Sequence, residues 1–145
     1  MSIFHVNQLD NCSDKLVQKI PHLKMLILFG LRARSDHHSH SDWDFAILYD
    51  EDKNITMTGF NRLEIYSILA DIFNIPDDQI DVVNLEHCSP LIAHYVSLDR
   101  QLLYEKETGL FETFKNKHRL NQKQLSTIQK SLREKLEHFL QSKGL

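Results

Sequence analysis

Two cysteines, three prolines and four glycines are scattered through 145 residues, and the sequence has neither internal repeats nor low-complexity segments. Cys12 and Cys88 stand apart with no paired-cysteine motif, which argues against a disulfide framework or a zinc ribbon. Long hydrophobic runs are missing too. The longest purely apolar stretch near the N-terminus is Met25 to Phe29, far too short to span a bilayer, and no signal-peptide pattern precedes it. The expectation is a cytoplasmic protein with no membrane partner. An excess of charge of one sign is absent overall, at a net −3, but the balance is uneven. Residues 110–145 carry +5 and the first 109 carry −8. An acidic body argues against a nonspecific nucleic-acid binder, so no direct nucleic-acid contact is expected. The basic end suits either an acidic partner or a solvated helix face.

What is present is an ordinary globular composition, 41% hydrophobic and 26% charged, in a length that suits one domain with a continuous core. Val6, Leu9, Leu16, Val17 and Ile20 recur at helical spacing until Pro21. Leu23 to Phe29 and Phe45 to Tyr49 are short apolar runs that read as strands buried on both faces. The polar stretch Arg32 to Ser41 between them is expected to form a short helix and a loop. Asp50 to Asn54 reads as a turn. Phe60 to Phe73 has helical periodicity and ends at an Asn74-Ile75-Pro76-Asp77 turn. Ile80 to Leu85 is a third strand, with Asp81 and Val83 on one face and Val82 on the other. Ser89 and Pro90 are the N-cap and first position of a helix reaching about Leu98. Leu102 to Tyr104 can add a fourth strand. From about Thr108 the pattern is helical, with Leu125, Ile128, Leu132, Leu136, Phe139 and Leu140 at intervals of three and four. That amphipathic helix can either pack on its own domain or dock on a partner helix.

Chemistry concentrates in one stretch. An apolar strand ends at Gly30, followed by Leu31, Arg32 and Arg34, and the next strand opens with Asp42 and Asp44. Carboxylates two apart on a strand start point to one face, and Asp81 joins them if its strand lies alongside. Turn amides that hold phosphate beside carboxylates that hold a bridging metal would make a phosphate-and-metal site. An acid-x-acid pair alone is common in surface turns; the glycine turn before it and the strand-borne acid after it are what raise its weight. Arg32 and Arg34 are phosphate candidates, with a surface role the alternative for each. His37, His38 and His40 have a spacing open to a transition metal, although solvated loop histidines explain them as well. Trp43 and Phe45 alternate with the acids and should pack in the core.

At these residues the chain resembles the DNA polymerase β nucleotidyltransferase superfamily, whose signature is Gly-Ser, about ten residues, Asp-x-Asp and a later strand-borne acid. Gly30, the spacer Arg32 to Ser41, Asp42-Trp43-Asp44 and Asp81 fit that spacing. The Phe-Gly-x-Arg-Ala-Arg turn and the segment from Ser89-Pro90 to Leu102-Leu103-Tyr104-Glu105 look most like the minimal nucleotidyltransferases (MNT), over about residues 20–106. The resemblance implies an α/β (α+β) polymerase β-like fold: a small mixed sheet of three or four strands flanked by helices. It implies a nucleotidyltransferase domain over 1–107 and a C-terminal helical extension over 108–145, packed on the same domain or on a partner. It further implies an antitoxin of a HEPN/MNT toxin–antitoxin module, hetero-oligomeric, using ATP and two Mg2+ ions to transfer AMP to a tyrosine of its HEPN ribonuclease toxin.

In that scheme Asp42, Asp44 and Asp81 are the catalytic metal ligands, Asp81 also takes the nucleophile's proton, and Gly30, Leu31, Arg32 and Arg34 bind nucleotide. One departure stands out, because Leu31 occupies the place of the motif serine and removes a hydroxyl that helps hold the triphosphate. Reduced turnover is the expectation. Two alternatives remain: an antitoxin that neutralises by binding alone, and a small-molecule nucleotidyltransferase, disfavoured because those enzymes generally carry an additional substrate-binding domain.

Overall fold

The computed structural model describes residues 6–30, 42–50, 59–99 and 101–144. Their order is α1 (Val6–Lys19), β1 (Leu23–Phe29), β2 (Trp43–Tyr49), α2 (Gly59–Phe73), β3 (Ile80–Asn84), α3 (Pro90–Leu98), β4 (Gln101–Glu105), α4 (Leu110–His118) and α5 (Gln122–Ser142). The four strands form one mixed sheet in the order β3-β2-β1-β4. β1 runs antiparallel to both β2 and β4, while β2 and β3 are parallel, joined through α2.

Helices cover both faces. Cys12, Leu16 and Ile20 from the α1 end and Ile65, Leu69 and Phe73 of α2 pack on Leu26, Leu28, Phe45, Ile47 and Val82. On the opposite face Ala93 and Val96 of α3 and Phe111 and Phe114 of α4 pack on Met25, Ile27 and Ala46. This explains the continuous apolar run of β1: Met25, Leu26, Ile27 and Leu28 have no exposed surface because successive side chains enter different cores. Phe45 stacks on Phe73 with ring centroids 5.4 Å apart.

Ser89 and Pro90 act as the sequence suggested, the Ser89 hydroxyl accepting the Ile92 N–H while proline occupies the first turn. The helical pattern beyond Thr108 resolves into two helices rather than one. The break falls at Arg119 to Asn121, where Asn121 starts α5 with a reciprocal capping box to Gln124. His94 holds this connector: buried in α3, it accepts the Leu120 N–H at Nδ1 (2.9 Å), and Arg119 donates to the Ser97 carbonyl. Such acceptance places the imidazole proton on Nε2. The two helices then differ in kind. α4 contributes Phe111 and Phe114 to the core, whereas no residue of α5 is buried.

Candidate active site

The sheet itself gathers two of the carboxylates. Asp44 is the second residue of β2 and Asp81 the second of β3, and the parallel register sets them directly opposite each other, between the Trp43–Ile80 and Phe45–Val82 pairs. Trp43, Phe45, Ile80 and Val82 turn into the α1/α2 core, so the alternation of the pleat sends Asp44 and Asp81 to the α3 face. Asp42 lies just before β2, exposed.

On the other side of β2, antiparallel pairing sets Phe29 opposite Asp44, so that Gly30 follows at the same end of the sheet. Gly30 has φ +78°, the left-handed region, and a Cβ placed there would lie 2.6 Å from Asp44 Oδ2. Glycine is therefore favoured twice over, by backbone conformation and by the approach of the carboxylate. Leu31, Arg32, Arg34, His37, His38 and His40 lie outside the described residues.

Electrostatics agree with the geometry. Partial burial first, then the charges of Asp81 and Asp42, push the Asp44 carboxyl up from 3.8 to about 6. Three acids crowd one end of the sheet, which is the arrangement a cation relieves. Among the described residues, however, no three His, Cys, Asp or Glu side chains are gathered closely enough to cage a metal by themselves. Magnesium does not need such a cage, because it is commonly held by one or two carboxylates together with the substrate's phosphates and water. The all-oxygen donor set fits that ion better than a soft metal.

Two features went unseen in the sequence. The hydroxyl of Tyr66, on α2, accepts the N–H of Val82 at 3.4 Å, satisfying a donor of strand β3 next to Asp81. The buried carboxylate of Asp99, just beyond α3, accepts the N–H of Gly30 at 3.0 Å. Neither residue belongs to a spacing pattern; helical periodicity hints only that Tyr66 adjoins an apolar face.

A glycine turn closing on paired strand-borne acids is the layout of a nucleotidyltransferase, and the family model "Polymerase beta, Nucleotidyltransferase" matches residues 11–109. The chain belongs to that family. Among its relatives is the protein adenylyltransferase MntA of Aphanizomenon flos-aquae (strain 2012/KM1/D3), 43% identical over 143 residues that span 97% of this chain and 95% of the relative. Solved structures repeat the fold. A chain of a crystal structure described as a toxin–antitoxin with AMP-PNP superposes with TM-score 0.59 at 20% identity, covering 98% of this chain and 100% of that one. A chain from a tri-AMPylated Shewanella oneidensis HEPN toxin in complex with MNT antitoxin gives 0.55 at 20%, covering 96% and 98%.

Proposed function

We propose that this chain is the antitoxin of a HEPN/MNT module and a protein adenylyltransferase, moving AMP from ATP to a tyrosine hydroxyl of its HEPN ribonuclease partner. The observation that carries this reading is the register of Asp44 against Asp81 with Gly30 closed upon Asp44, in a chain 43% identical to a protein adenylyltransferase. Asp42, Asp44 and Asp81 are the acidic ligands, and Gly30, Leu31, Arg32 and Arg34 are the residues assigned to nucleotide binding. Two magnesium ions, when bound, neutralise the triphosphate and stabilise the attacking and leaving oxygens.

The protein's own contribution is placement and a proton acceptor. Asp81, exposed on the α3 face, takes the phenolic proton as the tyrosine oxygen forms its bond to the α-phosphorus. The bond from that phosphorus to the bridging oxygen breaks, and pyrophosphate leaves with the electron pair. Asp44, half-buried between Asp81 and Gly30, fixes where the phosphate chain lies. Leucine at position 31 supplies a backbone amide but no hydroxyl, so turnover is slow.

α5 serves the partner rather than the body. Leu132, Leu136 and Phe139 lie on one helical stripe and are 48%, 57% and 54% exposed, with Lys130, Arg133 and Lys135 nearby in sequence. A basic helix with an open apolar stripe fits an acidic, amphipathic partner surface. This surface also sustains the second reading, neutralisation by binding alone, for which the loss of the motif serine is the favouring observation.

Incubating the protein with ATP, magnesium and the HEPN protein encoded beside it, and weighing the partner by intact mass, decides the matter. AMP additions are expected, faster with Leu31→Ser and absent with Asp42→Ala/Asp44→Ala. An unchanged partner mass with both the parent and a Leu31→Ser protein that binds ATP would overturn the transferase. Toxin neutralisation that survives the double alanine change would establish the binding-only reading.

A further inference from the structure

The buried carboxylate of Asp99 lies beyond the three acids of the family motif, at the junction of α3 and β4. Its own N–H closes the end of α3 on the Val96 carbonyl at 3.2 Å, and the residue is only 8% exposed. An acid this deeply placed is costly unless a donor compensates it. One donor is the Gly30 amide, 3.0 Å from Oδ2 and 69 residues distant in sequence. The bond therefore ties the end of α3 to the glycine turn. The same Gly30 has its α-carbon against Asp44, near enough that an added methyl would fall 2.6 Å from Oδ2. Asp99, Gly30 and Asp44 thus form a chain of contacts from α3 to the acidic pair. A cleft of about 540 Å³, lined by Phe29, Gly30, Tyr95, Leu98 and Asp99, opens beside the turn.

We propose that Asp99 is a positioning residue for the nucleotide site: by accepting the Gly30 N–H it sets the orientation of the glycine turn and hence the place of Asp44. The inference rests on the nucleotidyltransferase reading and adds to it a fourth acid that touches no substrate. Gly30's amide is committed to Asp99, so its part in nucleotide binding is to shape the turn. What Asp99 supplies is an acceptor oxygen at a fixed place, and an asparagine carbonyl can supply the same. A residue that merely filled space at the helix end would leave the binding of ATP untouched once the protein was folded.

The test compares Asp99→Ala and Asp99→Asn in the full chain with the parent, by calorimetric titration with ATP in excess magnesium well below each melting midpoint. Asp99→Ala is expected to weaken ATP binding about tenfold, the size of effect that one lost hydrogen bond at a turn produces. Asp99→Asn is expected to stay within about threefold of the parent. ATP binding by Asp99→Ala equal to the parent's overturns the inference, as does an Asp99→Asn as weak as Asp99→Ala. If the alanine variant does not fold, Asp99→Ser replaces it, since its hydroxyl is too short to span to Gly30. AMP transfer to the partner is scored separately. A parent that binds ATP but transfers nothing sinks the transferase reading and leaves the Asp99 comparison readable, whereas transfer with no Asp99 effect sinks only the inference.

Discussion

Replacing Gly30 by alanine asks one methyl group to do two different things. At φ +78° an alanine sits in the left-handed region, at a cost of about 1–2 kcal/mol. The usual entropic gain of glycine-to-alanine changes does not apply where φ is positive. The methyl would also lie 2.6 Å from Asp44 Oδ2, and that oxygen is the free end of a side chain, able to turn aside without disturbing the sheet. The steric strain is thus relieved by moving the carboxylate and not by unfolding. For a domain of this size a loss of about 1–2 kcal/mol lowers the melting midpoint by about 3–8 °C. Function should suffer far more. A displaced Asp44 no longer faces Asp81 in the manner the register sets, so ATP binding in magnesium should fall by at least about tenfold, the minimum for one misplaced ligand. Differential scanning calorimetry and ATP titration on the same sample separate the two effects. A variant that keeps parental ATP affinity, or one that fails to fold at all, refutes the reasoning.

Other perturbations follow from the same geometry. In chelator, Asp44→Asn should stabilise the protein at pH 8. The raised carboxyl is penalised when ionised, so its contribution to stability is fully present below about pH 4 and is lost as pH climbs from there through about 6. Allowing for solvent screening of a half-buried group, the difference is about 1–2 kcal/mol at pH 8 and shrinks toward zero near pH 4, measured as paired melting curves. Phe45→Ala empties a fully buried site against Phe73 and should cost about 3–5 kcal/mol in a urea titration. Leu136→Glu with Phe139→Glu should leave the melting midpoint within about 2 °C, because neither side chain is buried, yet abolish co-purification with the HEPN partner. An unchanged complex would place the docking surface elsewhere.

The strands were readable because their apolar runs are short and bounded by Pro21, Gly30 and acidic residues, and because a strand buried on both faces leaves no alternation to confuse the reading. The helix opening at Ser89-Pro90 was readable from its cap chemistry. Of the candidate site, the sequence offered Asp42, Asp44 and Asp81 as a spacing, and the strand register sets Asp44 against Asp81. Asp99 was not, since an isolated acid between a helix and a strand has no period and its partner is an amide 69 residues away. The split of the C-terminal helix was hidden for another reason. Asn121 and Gln124 are cap residues whose signal sits inside a longer helical pattern, and the anchor that fixes the break, His94, comes from a different helix.

The register of β2 on β3 carries a consequence for folding. A strand's faces alternate with period two, so sliding β3 by a single residue would drive Asp81 into the α1/α2 core and bring Ile80 and Val82 out of it. A misaligned sheet is therefore heavily disfavoured, and a half-built site cannot persist as a stable species. Formation of the sheet and the meeting of Asp44 with Asp81 are therefore coupled, and under the proposed function nucleotide binding reports complete folding.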